Sequence, residues 1–124
     1  MLIDTHAHLE IFPRNSTKPD DLSHVLTRAI KGGVSKIITI GTTIDSCSDA
    51  IEIAEKKSTD KLGIWASCGI HPTDSKDEFV LEDQLDLKMN TLRKIVESSK
   101  KVVAIGECGL DYYMEGQTTN KKLI

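Results

Sequence analysis

The sequence predicts an α/β chain built from parallel βα repeats. Three observations carry this reading: four short apolar runs, amphipathic helical patterns lying between them, and polar or glycine signals at the junctions. The first run, Leu2 to Asp4, opens the chain and leads into His6-Ala7-His8. Pro19 and the acidic pair Asp20-Asp21 then start a helix. Its apolar residues Leu22, Val25, Leu26, Ala29 and Ile30 recur with helical period until Gly32-Gly33 stop it. A second strand follows at Lys36 to Ile40, and after it Thr43 or Asp45 caps a helix with Cys47, Ala50, Ile51 and Ala54 on one side. Lys56-Lys57 suit that helix's carboxyl end, where the macrodipole favours cations.

The third strand is expected at Leu62 to Ser67, and the helix after it buries Leu85, Met89, Leu92, Ile95 and Val96. Ser98-Ser99-Lys100-Lys101 separate that helix from a fourth strand at Val102 to Ile105. Tyr113 to Asn120 reads as a polar loop, with Lys121 to Ile124 opening a fourth helix. Strand, helix, strand in this order requires right-handed crossovers and one parallel sheet with helices outside. Four parallel strands make either an open sheet or half of a closed eight-stranded barrel, which typically takes about 250 residues.

Composition narrows the function classes. At 124 residues with 39% hydrophobic and 28% charged content, the chain is expected to form one globular core, not two, and to be ordered. A net charge of −3 removes the global basic field of a nonspecific nucleic-acid coat, so a nucleic-acid substrate has to be held locally. Three widely spaced cysteines without a Cys-x-x-Cys pair, and no secretory segment before them, read as reduced thiols of an intracellular protein, cytoplasmic or nuclear. No apolar run approaches the ~20 residues that cross a bilayer.

The chemistry-bearing residues fall at strand ends. Side chains two apart on a strand share a face, so His6 and His8 can converge on one metal ion from a single element. His71, in Gly69-Ile70-His71-Pro72, sits on a loop that Pro72 keeps out of sheet and helix. Glu107 follows the fourth strand among glycines that permit tight turns. Three parallel strand ends thus send three imidazoles and a carboxylate to a common rim, a mixed N/O donor set suited to a divalent ion such as zinc or manganese. Asp4 is expected to orient a ligand imidazole through its other ring nitrogen. His24 reads as an ordinary helix residue, Asp111 and Tyr112 stay outside the core assignment, and Lys100-Lys101 and Lys121-Lys122 read as solvated faces. Cys68 and Cys108 lie near strand ends but are expected to be packing residues and not ligands.

Taken together, Ile3-Asp4-Thr5-His6-Ala7-His8-Leu9, Gly69-Ile70-His71-Pro72 and Val103 to Tyr113 resemble the TatD family of metal-dependent deoxyribonucleases, within the amidohydrolase-like barrels. The resemblance implies that residues 1–124 form the amino-terminal half of a TIM-type (β/α)8 barrel, incomplete in this chain. It further implies a two-metal centre (Mg, Mn or Zn) in which His6 and His8 bind one ion, Glu107 bridges both, and His71 faces the substrate phosphate. The implied reaction is hydrolysis of DNA phosphodiester bonds, with the later ligands of the family lying outside this sequence and little activity expected from this half alone. Two other readings accompany it: a related hydrolase of small esters, amides or phosphoesters, and a noncatalytic metal-binding or interaction module. Half a barrel has open edges, so self-association or pairing with the missing carboxy-terminal half is expected.

Overall fold

In the computed structural model, which describes residues 1–75 and 85–109, four strands and three helices alternate as the sequence predicts. They run β1 (Leu2–Ala7), α1 (Leu22–Lys31), β2 (Val34–Gly41), α2 (Ile44–Lys57), β3 (Gly63–Cys68), α3 (Leu85–Glu97) and β4 (Val102–Ile105), with a 3₁₀ turn at Leu9–Ile11. The strands form one parallel sheet in the order β1-β2-β3-β4. The expected loop at Tyr113 to Asn120, the helix at Lys121 to Ile124, and Asp111 and Tyr112 lie outside the described residues.

Each helix start has a chemical cause. Asp21 caps α1, its carboxylate accepting the backbone N–H of Ser23 at 2.9 Å and that of Ser16 at 2.8 Å. Thr43, not Asp45, caps α2 through a reciprocal box: Thr43 Oγ1 accepts the Ser46 N–H at 3.0 Å, and Ser46 Oγ accepts the Thr43 N–H at 2.8 Å. Asp45 instead lies in the first turn, where a negative charge complements the helix dipole.

The two hydrogen bonds from Ser16 and then Ser23 hold the Asp21 carboxyl below its ordinary pKa of 3.8. A depressed folded-state pKa stabilises fully above the ordinary value and is lost as pH falls through the folded one. The thermal midpoint of Asp21→Asn should therefore lie below that of the parent chain at pH 7 and approach it at acid pH. Parallel curves across the whole range would contradict this assignment.

The core lies between the sheet and the helices. Ile37 of β2 and Ile64, Ala66 and Cys68 of β3 meet Cys47, Ala50, Ile51 and Ala54 of α2, with Leu22 and Leu26 of α1 at one end. The α3 stripe behaves otherwise than expected: Leu92, Ile95 and Val96 are only half-buried and Met89 is 47% exposed. The stripe borders an apolar cavity of about 460 Å³ shared with Cys68, Ile70 and Ile105, which leaves its residues incompletely covered. Lys101 is also a correction. It is half-buried, its Nζ donating to Ser58 Oγ at 2.8 Å and to the Ile64 carbonyl at 3.2 Å while lying 5.2 Å from the Trp65 ring.

The register positions the site. β2 and β3 pair without interruption from Lys36–Gly63 to Gly41–Cys68. β1 does not: Asp4 pairs with Ile37 and Ala7 with Thr39, so Thr5 and His6 together oppose the single residue Ile38. This two-against-one arrangement is a β-bulge, which bends the strand and re-aims a side chain.

Candidate metal centre

β1 and β4 are the two outer strands of the sheet, yet His6 Nε2 stands 3.1 Å from Glu107 Oε1. In a flat sheet three interstrand spacings would keep these strands about 14 Å apart, with side chains projecting roughly perpendicular to the sheet. The sheet must therefore curl, as a segment of a barrel wall does, so that side chains from its two edges converge on the concave side. His8 joins them, its ring centroid 5.3 Å from that of His6 with the planes inclined by 69°. One donor atom from each of His6, His8 and Glu107 lies within 4.8 Å of the others. Among the described residues this is the group of histidine, cysteine and acidic donors compact enough to surround a cation.

Simple strand alternation does not account for the pair. β1 ends at Ala7, and His8 is the residue before the 3₁₀ turn, with φ −97° and ψ 79°. His6 sits in the bulge, where its N–H leaves the ladder and is accepted by Asp4 Oδ1 at 3.0 Å. Asp4 therefore acts on the backbone of His6 and not on an imidazole, which corrects the role expected from sequence.

The imidazole partner is Glu10, which the sequence reading passed over. Its Oε1 lies 3.0 Å from His8 Nδ1. The available signal was an acid two residues beyond a candidate ligand, the same spacing that relates His6 to His8. The 3₁₀ turn folds Glu10 back and brings them together.

Glu107 is placed by glycines. A Cβ on Gly69 would collide with the carbonyl oxygens of Gly106 and Glu107, and one on Gly106 would collide with Ser67 Oγ. The backbones at the ends of β3 and β4 thus approach more closely than side chains allow, and the Gly106 N–H donates to the Cys68 carbonyl at 3.0 Å.

His71 lies outside the three-residue cluster. Its N–H donates to the Thr42 carbonyl at 2.9 Å, tying the loop after β3 to the end of β2. Its Nδ1 accepts the Thr73 N–H at 3.2 Å and lies 2.7 Å from Thr73 Oγ1. A neutral ring that accepts at Nδ1 carries its proton on Nε2, which makes that atom a donor. Cys68 is excluded as a ligand, because it is buried in the core beside Cys47, whose contact, followed by burial, pushes its thiol pKa up. Cys108 is exposed and free. His24 is exposed on α1, its Nδ1 2.9 Å from the Lys18 carbonyl, as an ordinary helix residue would be.

The donor set suits a divalent cation. Donors on one ion at about 2.0–2.2 Å are at most about 4.4 Å apart, so closure requires only small side-chain adjustments. Two imidazoles and a carboxylate are borderline-to-hard ligands, appropriate to zinc or manganese and unlike the thiolate sets that select softer ions.

Comparison with known proteins gives a consistent result. Residues 3–124 match the family described as TatD related DNase. A Buchnera aphidicola protein named an uncharacterized metal-dependent hydrolase is 32% identical over 117 residues, 94% of this chain and 42% of its own length. The protein named 3'-5' ssDNA/RNA exonuclease TatD from Enterobacter lignolyticus is 32% identical over 101 residues, covering 79% of this chain and 35% of its own. The crystal structure of a TatD family hydrolase from Entamoeba histolytica superposes with a TM-score of 0.67 at 29% identity, over 97% of this chain and 42% of that one. The chain thus spans about two fifths of the length of the relatives it matches.

Proposed function

This chain belongs to the TatD related DNase family, and on that premise we propose that residues 1–124 supply the first half of a divalent-metal-dependent hydrolase barrel that cleaves DNA phosphodiester bonds. The observation that carries the proposal is the convergence of His6, His8 and Glu107 from opposite edges of one curled sheet. His6 and His8 would hold the cation through ring nitrogens and Glu107 through its carboxylate. A bound divalent cation there supplies Lewis acidity and lowers the pKa of water toward neutrality. His71, protonated on Nε2, would donate a hydrogen bond to a substrate phosphate oxygen. An acidic protein can engage DNA in this way because the attraction is confined to the pocket and needs no basic face.

The sheet edges bear on the rest of the assembly. Leu2, Ile3, Val103 and Ile105, all on the outer strands, are 51–70% exposed. Unpaired parallel edges bearing apolar side chains require cover, and we assign that cover to the carboxy-terminal half of the barrel. Among the described residues no helix is long and apolar enough to cross a membrane.

The test is hydrolysis of end-labelled single- and double-stranded DNA by the chain joined to, or mixed with, its carboxy-terminal half, in magnesium, manganese or zinc. Metal-dependent release of nucleotides, abolished by EDTA and restored by the ion, is expected. Failure on DNA with all three ions, alongside turnover of a small phosphoester, would replace the nuclease with a small-substrate hydrolase.

A further inference from the structure

The contacts around His8 carry an inference that rests on the metal-site reading and extends it to a residue outside the ligand set. We propose that Glu10 is a positioning residue that holds His8 in its metal-binding tautomer, and that Thr39 in turn holds Glu10.

The side chain of Glu10 is only 9% exposed. A carboxylate so enclosed must be satisfied by donors, since it has no proton of its own to give. Two contacts supply them. His8 Nδ1 lies 3.0 Å from Oε1, and Thr39 Oγ1 lies 3.4 Å from Oε2. Thr39 belongs to β2, is fully buried, and accepts the Leu9 N–H at 3.2 Å through the same hydroxyl oxygen. A continuous chain therefore runs from the rigid central sheet through Thr39 and Glu10 to His8.

This chain decides which ring nitrogen can coordinate. With an acceptor-only oxygen at Nδ1, the neutral imidazole must carry its proton there, which leaves the lone pair on Nε2. The opposite tautomer would set two lone pairs against each other. A carboxylate behind a ligand imidazole also raises its basicity and fixes its rotation, and loss of such a partner typically weakens metal binding about 10–100-fold. Among the described residues His6 has no equivalent support at its ring: its Nε2 faces Glu107, and its backbone N–H is held by Asp4. His8 is thus the anchored ligand of the pair, and Glu10 anchors it.

Two readouts test this on the whole chain. Long-range 1H–15N spectra of the metal-free chain should show the His8 proton on Nδ1, and Glu10→Ala should lose that tautomer preference. Titration with Co2+, followed by visible absorption, should give about 10–100-fold weaker binding for Glu10→Ala, a smaller loss for Glu10→Gln, whose amide oxygen can still accept, and a loss for Thr39→Val that Thr39→Ser restores. Circular dichroism verifies that each variant is folded, and Glu10→Gln preserves side-chain size should the alanine variant unfold. An Nε2–H tautomer in the parent, or the same tautomer in parent and Glu10→Ala, overturns the proposal. So does unchanged Co2+ affinity in Glu10→Ala where His8→Ala abolishes binding. A parent chain that shows the Nδ1–H tautomer, loses it in Glu10→Ala and binds no Co2+ would sustain the Glu10 assignment while removing the metal reading on which its purpose rests.

Discussion

Glu107→Ala is expected to weaken divalent-metal binding by about 100-fold or more and to reduce DNA hydrolysis by the completed barrel to background. The size follows from comparison: partners behind a ligand already cost about 10–100-fold when removed, and Glu107 is the one carboxylate in the cluster. Without it, no carboxylate remains among the groups facing the cation, and the acid left nearby, Glu10, reaches the site only through the His8 ring. His6→Ala and His8→Ala should show the same loss of binding. Glu107→Gln separates charge from shape, since the amide fills the same space without the negative charge, and its affinity should lie close to that of the alanine variant. Isothermal titration with zinc or manganese measures all four. If Glu107→Gln binds as tightly as the parent, the carboxylate is not a ligand and the site as described is wrong.

The second large effect arises one step removed from the chemistry. Gly69→Ala places a methyl group against the carbonyl oxygens of Gly106 and Glu107. These are backbone atoms that cannot rotate aside, so β3 and β4 must separate at the ends that carry the site. Forced overpacking of this kind costs about 1–3 kcal/mol, and the accompanying displacement acts on the residue that contributes the carboxylate. A functional constellation tolerates only about 0.5 Å of misplacement, so metal affinity should fall together with the thermal midpoint. Gly33→Ala is the control: it is strained by a φ of +89°, but nothing lies within 4 Å of the added carbon and it stands far along the chain from Glu107. It should lower stability and leave metal affinity unchanged. Equal affinity in Gly69→Ala and the parent would show that the close approach of the two backbones does not position Glu107.

The parallel α/β repeat was legible in sequence because apolar period and helix punctuation are local signals, whereas the strand order β1-β2-β3-β4 is set by long-range pairing. The acidic pair Asp20-Asp21 before Leu22 and Thr43 before α2 are examples of such punctuation, while the part of Ser46 in the α2 cap emerges only from the structure. The candidate ligands His6, His8 and Glu107 were legible because imidazoles and a carboxylate fall at the ends of the expected strands, which a parallel sheet brings to one rim. The means by which they meet was not. His6 and His8 looked like neighbours on one regular strand, but the bulge at Thr5–His6 depends on pairing with β2, thirty residues away, and no property of β1 alone specifies it. Glu10 was missed for a related reason, since its contact with His8 exists only after a 3₁₀ turn whose geometry depends on Leu9 packing and on the hydroxyl of Thr39. Lys101 looked like a solvated charge because its acceptors, Ser58 and the Ile64 carbonyl, are distant in sequence. The α3 stripe had the correct period, but period reports which face is apolar and not how fully that face is covered.

On the proposed reading, one cation is held jointly by His6 of β1, His8 just beyond that strand and Glu107 just beyond β4. Crystals of the chain soaked in zinc, with diffraction recorded on either side of the zinc absorption edge, address it most directly. The expected result is an anomalous peak bounded by His6, His8 and Glu107, with each donor about 2.0–2.2 Å from it. A peak bound elsewhere, or one that contacts the histidines while Glu107 turns away, would contradict it.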